Sequence, residues 1–270
     1  MKQPISLVVL VAVSVFANAC ADHKVPKAPS APAAVSPAPA PTVQAPLNAR
    51  PGGGPRLGDG VQWFRSSAEY RAIAISTYRA ATEAVTTAAK GKPRDSWTIV
   101  LDADETVLDN SVFQRDLARG TTPFSEELWA AFVHQRSSVA VPGAKEFLDR
   151  VKELGGRIAI VTNRFDNLCE DTRANFRLQS LPFDVILCRA TTGTNTGDKN
   201  PRFDAAAKGT AFGDEKPREV LAFVGDNILD FPALKQSLRD EPASAFDAFG
   251  QRFFVLPNPM YGSWQQVPAR

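Results

Sequence analysis

From Trp97 onward the sequence alternates between short apolar runs and longer amphipathic segments, and this alternation restricts the fold more than any other feature of the chain. Apolar runs too short for helices predict buried strands, while the segments between them carry the 3.6-residue periodicity of helices. Alternating strands and helices favour an α/β fold, in which helices cover both faces of a parallel sheet. The predicted strands are 97–101, 157–161, 183–187, 220–224 and 252–256, and the predicted helices between them include 143–154 and 166–179.

The folded domain is predicted to span residues 61–264, with 265–270 as a short tail. An Ala-rich helical pattern over 61–90 opens it, with four apolar side chains expected to be buried: Ile73, Ile75, Tyr78 and Val85. The segment 107–141 is too long for a plain loop and is rich in aromatic residues. We therefore predict a small helical cap over the strand ends.

The first sixty residues are interpreted as lying outside the folded domain. Residues 1–19 combine Lys2, an apolar run and the small residues Ala17 and Ala19, which is typical of a signal peptide. The run is shorter than the roughly 20 apolar residues that a membrane span needs. Residues 20–60 include a Pro- and Ala-rich stretch that cannot bury apolar surface, so we interpret them as an extended tether.

Cys20 directly follows the predicted cleavage site, and this arrangement resembles a bacterial lipoprotein signal. The resemblance implies that Cys20 carries a lipid and anchors the protein to a membrane. The next residue is Ala21 and not Asp, which by general lipoprotein sorting rules favours the outer membrane. The alternative is ordinary secretion with cleavage at the same bond.

The charge balance argues against one class of partner. The chain has 31 basic and 29 acidic residues, mixed along the sequence, for a net charge of +2. A nucleic-acid-binding surface would need a basic face or stripe, so no nucleic-acid partner is expected.

Acidic residues follow two of the predicted strands. Asp102 and Asp104 come directly after the first strand, and Asp226 and Asp230 follow the fourth. The carboxyl ends of parallel strands are where open α/β sheets place their ligands. Adjacent carboxylates repel one another unless a cation or a shared proton relieves them. The pattern therefore predicts a hard divalent cation at this edge, and Mg²⁺ suits a site that also handles phosphate.

Two further polar residues fit a phosphate site. Thr162 ends the second strand, where its hydroxyl could donate to a phosphate oxygen, and Lys199 precedes a helix in a polar loop. A cation is needed beside a phosphate that already faces carboxylates. Lys208 and Arg202 are alternatives to Lys199.

The order DxDxT, Thr, Lys, GDxxxD resembles the haloacid dehalogenase superfamily of phosphohydrolases, and longer stretches narrow the resemblance to its class C acid phosphatases, which are four-aspartate bacterial lipoproteins. Ala103 departs from the family, which usually has a larger aliphatic residue there. The stretches that carry the resemblance are DADETVLDNS (102–111), AVPGA (140–144), VTNR (161–164), VGDN (224–227) and LPNPMYGSW (256–264).

The resemblance implies a Mg²⁺-dependent phosphomonoesterase with defined roles. Asp102 would be the nucleophile that forms an aspartyl-phosphate, and Asp104 would serve as general acid and then general base. The implied metal ligands are Asp102, the Asp104 backbone carbonyl and Asp226, with Asp230 in support, and the implied phosphate-binding residues are Thr162, Asn163 and Lys199.

Aromatic residues at two positions bear on the substrate. In the family that the chain resembles, aromatics at the positions of Trp129 and Tyr261 sandwich the ring of a nucleotide, which implies a preference for 5′-nucleotides among small phosphate esters. The alternatives are a broad-specificity phosphatase, in which both residues are core aromatics, and a non-catalytic ligand-binding lipoprotein of the same fold. The presence of both Asp102 and Asp104 argues against the latter.

Cys169 and Cys188 are the remaining cysteines. Both are predicted near one edge of the sheet, and an exported protein meets oxidising conditions, so a disulfide is one interpretation. Because buried free thiols are common, the interpretation that we favour is two unpaired cysteines.

Overall fold

The structure is a computed structural model, and it describes residues 57–268 of the chain. The predicted signal peptide, Cys20 and nearly all of the tether lie outside the described residues. Within 57–268, no helix is both long enough and apolar enough to cross a membrane.

The described chain alternates between strands and helices, as the sequence pattern predicts. The strands are β1 (Trp97–Leu101), β2 (Leu108–Asp109), β3 (Val139–Ala140), β4 (Arg157–Phe165), β5 (Val185–Arg189), β6 (Glu219–Gly225) and β7 (Phe253–Val255). The helices are α1 (Asp59–Ser66), α2 (Ala68–Ala88), α3 (Ser111–Arg119), α4 (Glu126–His134), α5 (Ala144–Leu154), α6 (Cys169–Leu178) and α7 (Asn200–Lys208).

Five strands form one parallel sheet in the order β5-β4-β1-β6-β7. The central strand β1 is buried along its whole length, because it pairs with β4 on one side and β6 on the other. In this register Leu101 lies opposite both Ile160 and Val224. The residues that follow β1 and β6 therefore emerge beside the part of β4 that continues past Ile160, at one edge of the sheet.

Apolar side chains fill both faces of the sheet. Ile99 and Leu101 of β1 belong to the larger cluster, with α2 and α5, whereas Val100 points into a second cluster with α7. This two-sided burial explains why the strands appear in the sequence as nearly continuous apolar runs. The predicted α/β fold with a helix-covered parallel sheet is confirmed.

The single helix predicted over 61–90 is wrong in one respect, since the chain breaks into α1 and α2 at Ser67. Ser67 has extended backbone angles, and its hydroxyl accepts a hydrogen bond from Tyr70 N at 3.0 Å, so it caps α2. Tyr78 and Val85 are buried as expected, but Ile73 is 41% exposed and Ile75 is half-buried. Ala74 takes the buried position that the pattern assigned to its neighbours.

The segment predicted as a cap contains α3 and α4, which rise from the two-stranded antiparallel ribbon of β2 and β3. Phe113, Phe132 and Val133 are buried in a small apolar cluster of their own, together with Leu168 from the turn before α6. We call residues 111–134 the cap.

Three further predicted elements have boundaries that differ from the observed ones by two residues or more. β4 continues to Phe165, four residues beyond its predicted end, and β5 begins and ends two residues later than predicted. The predicted helix 166–179 starts with a short 3₁₀ turn over Asp166–Leu168 before α6 begins. Each shift falls at an element end, where local sequence preferences are weakest.

The expectation of two free thiols is also wrong, because Cys169 and Cys188 form a disulfide. Cys169 opens α6 and Cys188 lies in β5, and the packing of that helix on that strand brings their Cα atoms to 6.0 Å. Periodicity places each residue in an element, but it does not give the distance between elements.

Candidate active site

Three of the four predicted aspartates converge where β1 and β6 end. Asp102 follows β1, and its backbone N–H donates to the carbonyl of Val224 in β6 at 3.0 Å. Asp226 follows β6 directly. One carboxylate oxygen from each of Asp102, Asp226 and Asp230 lies within 4.8 Å of the other two. We call these three residues, together with Lys199, the strand-end cluster.

Asp230 reaches the cluster through a tight turn that follows Asp226. The chain forms a three-residue 3₁₀ turn, and Oδ2 of Asp230 accepts a hydrogen bond from Asn227 N at 2.9 Å. Gly225 makes this possible, since a Cβ atom there would lie 2.3 Å from the Cβ of Asp230. The turn leaves Oδ1 of Asp230 available to Lys199.

Lys199 is the buried cation of the cluster. Its Nζ lies 2.6 Å from Oδ1 of Asp102 and 2.6 Å from Oδ1 of Asp230. Lys208 and Arg202, the two alternatives to Lys199, make other contacts. Lys208 is on the surface, paired with Asp204 at 3.5 Å. The guanidinium of Arg202 donates to the backbone carbonyl of Thr162.

Burial changes the protonation of these groups. Burial and the nearby carboxylates raise the pKa of Asp102 to about 7, although Lys199 opposes the shift. Burial and the charges of Asp230 and Asp102 also raise the pKa of Asp226 well above its usual range. The pKa of Lys199 is raised by Asp102 and Asp230, which outweigh its burial. Only if all three carboxyls ionised would the cluster carry more negative charge than one lysine balances, so the metal-free cluster favours bound protons.

The donor set suits a hard divalent cation. All three converging side chains offer carboxylate oxygens, the ligands that such ions prefer. Asp226 is also held in place, because Thr106 Oγ1 donates to its Oδ1 at 3.2 Å and Asn258 Nδ2 donates to its Oδ2 at 2.8 Å. Hydrogen bonds of this kind orient metal ligands, and sequence reasoning assigned no role to either donor.

Asp104 lies beside the cluster but faces a different set of partners. Its Oδ1 accepts hydrogen bonds from Arg164 Nε at 2.9 Å and from Asn110 Nδ2 at 2.8 Å. Arg164 is almost fully buried, and its Nη2 lies 2.8 Å from the same oxygen. Sequence reasoning missed both residues, although each lies in a stretch that carries the family resemblance.

The two predicted phosphate ligands, Thr162 and Asn163, lie within β4, because this strand extends beyond its predicted end, and they have different environments. Thr162 is fully buried, and its hydroxyl lies 3.4 Å from Oδ2 of Asp104. Asn163 is exposed at the cavity wall, and its Oδ1 accepts a hydrogen bond from Arg202 Nη2 at 2.6 Å.

A cavity of about 570 Å³ lies between the strand ends and the cap. Trp129 and Tyr261 both line it, as do Asp102, Asp104 and Lys199. A volume of this size is typical of sites for small organic ligands. The structure therefore brings the predicted aromatic pair and the predicted catalytic carboxylates to one cavity.

The two aromatic residues are anchored differently. Trp129 packs inside the cap against Phe113 and Phe132, with ring centroids 5.1 Å and 5.6 Å away. The Tyr261 hydroxyl donates to Glu105, a fully buried carboxyl whose pKa is raised well above its usual range by burial and by Asp104 and Asp226. Glu105 was not singled out from the sequence.

Comparison with known proteins gives two findings. The model of the family described as "HAD superfamily, subfamily IIIB (Acid phosphatase)" matches residues 56–264. The chain is also similar to two solved structures of the class C acid phosphatase from Bacillus anthracis, one of them with tungstate bound. Sequence identity is 26% in both cases, over 77% of this chain and 86% of the other, with TM-scores of 0.65 and 0.63.

Proposed function

The chain belongs to subfamily IIIB of the HAD superfamily, the acid phosphatases, and from that premise we propose that it hydrolyses phosphate monoesters through an aspartyl-phosphate on Asp102. One observation carries the proposal: a buried carboxylate, Asp102, lies at a cavity wall with a buried lysine 2.6 Å away and a second carboxyl, Asp104, two residues on. A nucleophile, a cation for phosphate oxygens and a proton carrier are therefore together.

The roles follow from the contacts. Asp102 attacks phosphorus. Lys199, whose Nζ contacts Oδ1 of Asp102, offsets the negative charge that develops on the phosphate oxygens in the transition state. Asp104 gives a proton to the leaving oxygen and then takes one from the water that hydrolyses the intermediate. Thr162 and Asn163 lie in the last part of β4, beyond its pairing with β1, where they would donate to the phosphate.

We propose Mg²⁺ as the cofactor. Asp102, Asp226 and the backbone carbonyl of Asp104 would hold it, with Asp230 in support. When bound, the ion would neutralise carboxylate charge and polarise the phosphate. The three converging carboxyls support this proposal, because their ionised forms would outnumber the single charge of Lys199, and so does the oxygen-only donor set.

For substrate class, we propose 5′-nucleotides. Support comes from Trp129 and Tyr261, which line the same cavity as Asp102, because an aromatic pair offers a stacking slot for a base or nicotinamide ring. The packing of Trp129 inside the cap is also what a structural role would produce, so a broad-specificity phosphatase is the second candidate. Tungstate in the relative from Bacillus anthracis is an oxyanion with the tetrahedral shape of phosphate, which supports phosphate-ester substrates in either case.

The test is hydrolysis of p-nitrophenyl phosphate by the purified protein, with Mg²⁺ or with EDTA. We expect turnover with Mg²⁺ and its loss in EDTA, with recovery when Mg²⁺ is returned. Acid quenching during turnover, followed by mass spectrometry, should place a phosphoryl group on the peptide that contains Asp102. A phosphoryl group on another residue would contradict the mechanism, and no turnover with any divalent cation would favour the non-catalytic alternative.

We also propose that the mature protein is a lipoprotein anchored through Cys20, most simply in the outer membrane. The support is the sequence pattern alone, since these residues lie outside the described part of the chain. Cys20→Ser should move the enzyme from the membrane fraction to the soluble fraction without changing its specific activity. Finding the unaltered protein in the soluble fraction would favour plain secretion.

A further inference from the structure

The carboxylate of Asp104 is held mainly through one of its two oxygens. Its Oδ1 is contacted by Arg164 Nε at 2.9 Å, by Arg164 Nη2 at 2.8 Å and by Asn110 Nδ2 at 2.8 Å. Among the described residues, Oδ2 has one hydrogen-bond contact, from Thr162 Oγ1 at 3.4 Å. Three charge-assisted or amide contacts on one oxygen, against one long contact on the other, make the two oxygens inequivalent.

A buried polar network sets the direction of these donors. The amide of Asn110 has a defined orientation, because its Oδ1 accepts from Ser138 Oγ at 2.6 Å and from Arg164 Nη2 at 3.1 Å. Its Nδ2 must then point at Asp104. Arg164 is held from behind by Thr172 Oγ1, which lies 3.3 Å from its Nη1. All four of these supporting side chains are buried.

From this geometry we propose that Arg164 and Asn110 are positioning residues that reserve Oδ2 of Asp104 for proton transfer, an inference that rests on the proposed function of Asp104. As the ester P–O bond breaks, the O–H bond on Oδ2 breaks and its proton goes to the leaving oxygen. In the second half-reaction, water gives a proton to Oδ2 while its oxygen attacks phosphorus, which restores the acid and releases Asp102.

The network also connects the acid to the cap. Asn110 directly precedes α3, and Ser138 lies a few residues after α4, so both ends of the cap are tied to the donors of Asp104. The indole of Trp129 covers the guanidinium of Arg164, with 5.3 Å between the Cζ atom and the ring centroid. A displaced cap would therefore misalign the proton donor as well as open the cavity.

Leaving-group dependence separates positioning from stability. A good leaving group departs without a proton, whereas a poor one needs the acid. A misplaced Asp104 should therefore lower kcat/KM only for esters whose leaving alcohol or phenol has a high pKa. We would measure kcat/KM for 2,4-dinitrophenyl, p-nitrophenyl and phenyl phosphates with two variants. Arg164→Lys keeps the positive charge but loses the two-nitrogen contact of the guanidinium with Asp104, and Asn110→Ala removes the amide donor. General acid catalysis contributes about 10²–10⁴-fold. We expect each variant to lose about 10²-fold on phenyl phosphate and less than about threefold on the dinitrophenyl ester.

Arg218→Lys is the matched control, because Arg218 is also a buried arginine with two contacts to one aspartate, Asp214, at 2.8 Å and 2.5 Å. It precedes β6 at the opposite end of the sheet from the site. This variant should lower the melting temperature and leave the leaving-group dependence unchanged.

Asp104→Asn shows the leaving-group dependence that complete loss of the acid produces, and the other variants are compared with it. If it loses activity equally on all three esters, the acid role of Asp104 fails and the proposed function fails with it. If it shows the dependence while Arg164→Lys and Asn110→Ala lose activity equally on all esters, only the positioning inference is overturned. Should Arg164→Lys not fold, Asn110→Ala decides the outcome, since it removes one donor to Asp104 and changes no charge.

Discussion

The strand-end cluster and the cap face the same cavity, but they are built in different ways. Asp102 and Asp226 follow strands whose register is fixed by paired neighbours, and each carboxylate has a hydrogen-bonded partner from another element. The cap is attached by a two-residue ribbon and by a small cluster of aromatic and aliphatic side chains. Under the proposed function, the chemistry depends on strand ends whose register is fixed by pairing, whereas substrate choice depends on the cap, which has its own apolar cluster.

The largest effect that this comparison predicts is at Asp102. Asp102→Asn keeps the size of the side chain and removes the nucleophile, so turnover of every phosphate ester should fall by at least ~10⁴-fold with the fold intact. Steady-state kinetics and circular dichroism would check this. Asp204→Asn is the control, because Asp204 is a surface carboxylate paired with Lys208, and its activity should match that of the unaltered enzyme. Near-normal turnover by Asp102→Asn would show that Asp102 is not the nucleophile and that the reaction does not take place at the strand-end cluster.

The next effect concerns the charge balance of the cluster. Lys199→Met leaves Asp102 and Asp230 buried without their shared cation, and breaking a buried ion pair from one side costs about 3–5 kcal/mol. We expect this loss in the free energy of unfolding, measured with urea in EDTA. Lys145→Met is the control, because Lys145 pairs with Asp149 on the surface, where such pairs contribute about 0–1 kcal/mol. Equal losses in both variants would show that Lys199 is not balancing buried charge.

Metal binding and pH should both change the charge of the buried carboxyls in the strand-end cluster. In the metal-free protein, burial raises the pKa of Asp102 to about 7 and that of Asp226 well above its usual range, while the unfolded chain titrates near ~3.9. The folded state then holds protons that the unfolded state has lost. The free energy of unfolding must therefore fall as pH rises from about 4 through about 7.

Magnesium should reverse that loss, since it relieves the ionised carboxylates and competes with protons. We expect Mg²⁺ at a hundred times its Kd to stabilise the protein by about 2–3 kcal/mol at pH 8 and by much less at pH 5. Thermal unfolding in Mg²⁺ and in EDTA at the two pH values measures this. Equal stabilisation at both would place the ion away from the strand-end cluster.

The two regions also differ in how far the sequence predicts them. Asp102 and Asp226 were predictable because each directly follows an apolar run, and parallel strands bring such ends together. The contacts of Arg164 were not predictable, because an arginine that follows a predicted strand is ordinarily exposed. Only the packing of α6 and the cap buries it. The same limit explains the disulfide between Cys169 and Cys188, which depends on the distance between α6 and β5.

The smallest effect, and the one that separates the two regions most directly, is at the aromatic pair. If Trp129 and Tyr261 stack on a substrate ring, each contact contributes about 1–3 kcal/mol, which corresponds to a change of about 5- to 150-fold in KM. Trp129→Ala and Tyr261→Ala should each raise KM for adenosine 5′-phosphate or nicotinamide mononucleotide by about that factor, and far less for glycerol phosphate. Phenylalanine at either position keeps a ring, so Trp129→Phe and Tyr261→Phe should retain most of the preference, even though the latter loses the hydrogen bond to Glu105. Phe246→Ala changes an aromatic residue that does not line this cavity and should leave both substrates unaffected. If the two alanine variants lose nucleotide and glycerol phosphate hydrolysis in equal proportion, the aromatics only hold the cap and the C-terminal segment in place, and the enzyme is a broad-specificity phosphatase whose selectivity does not come from stacking.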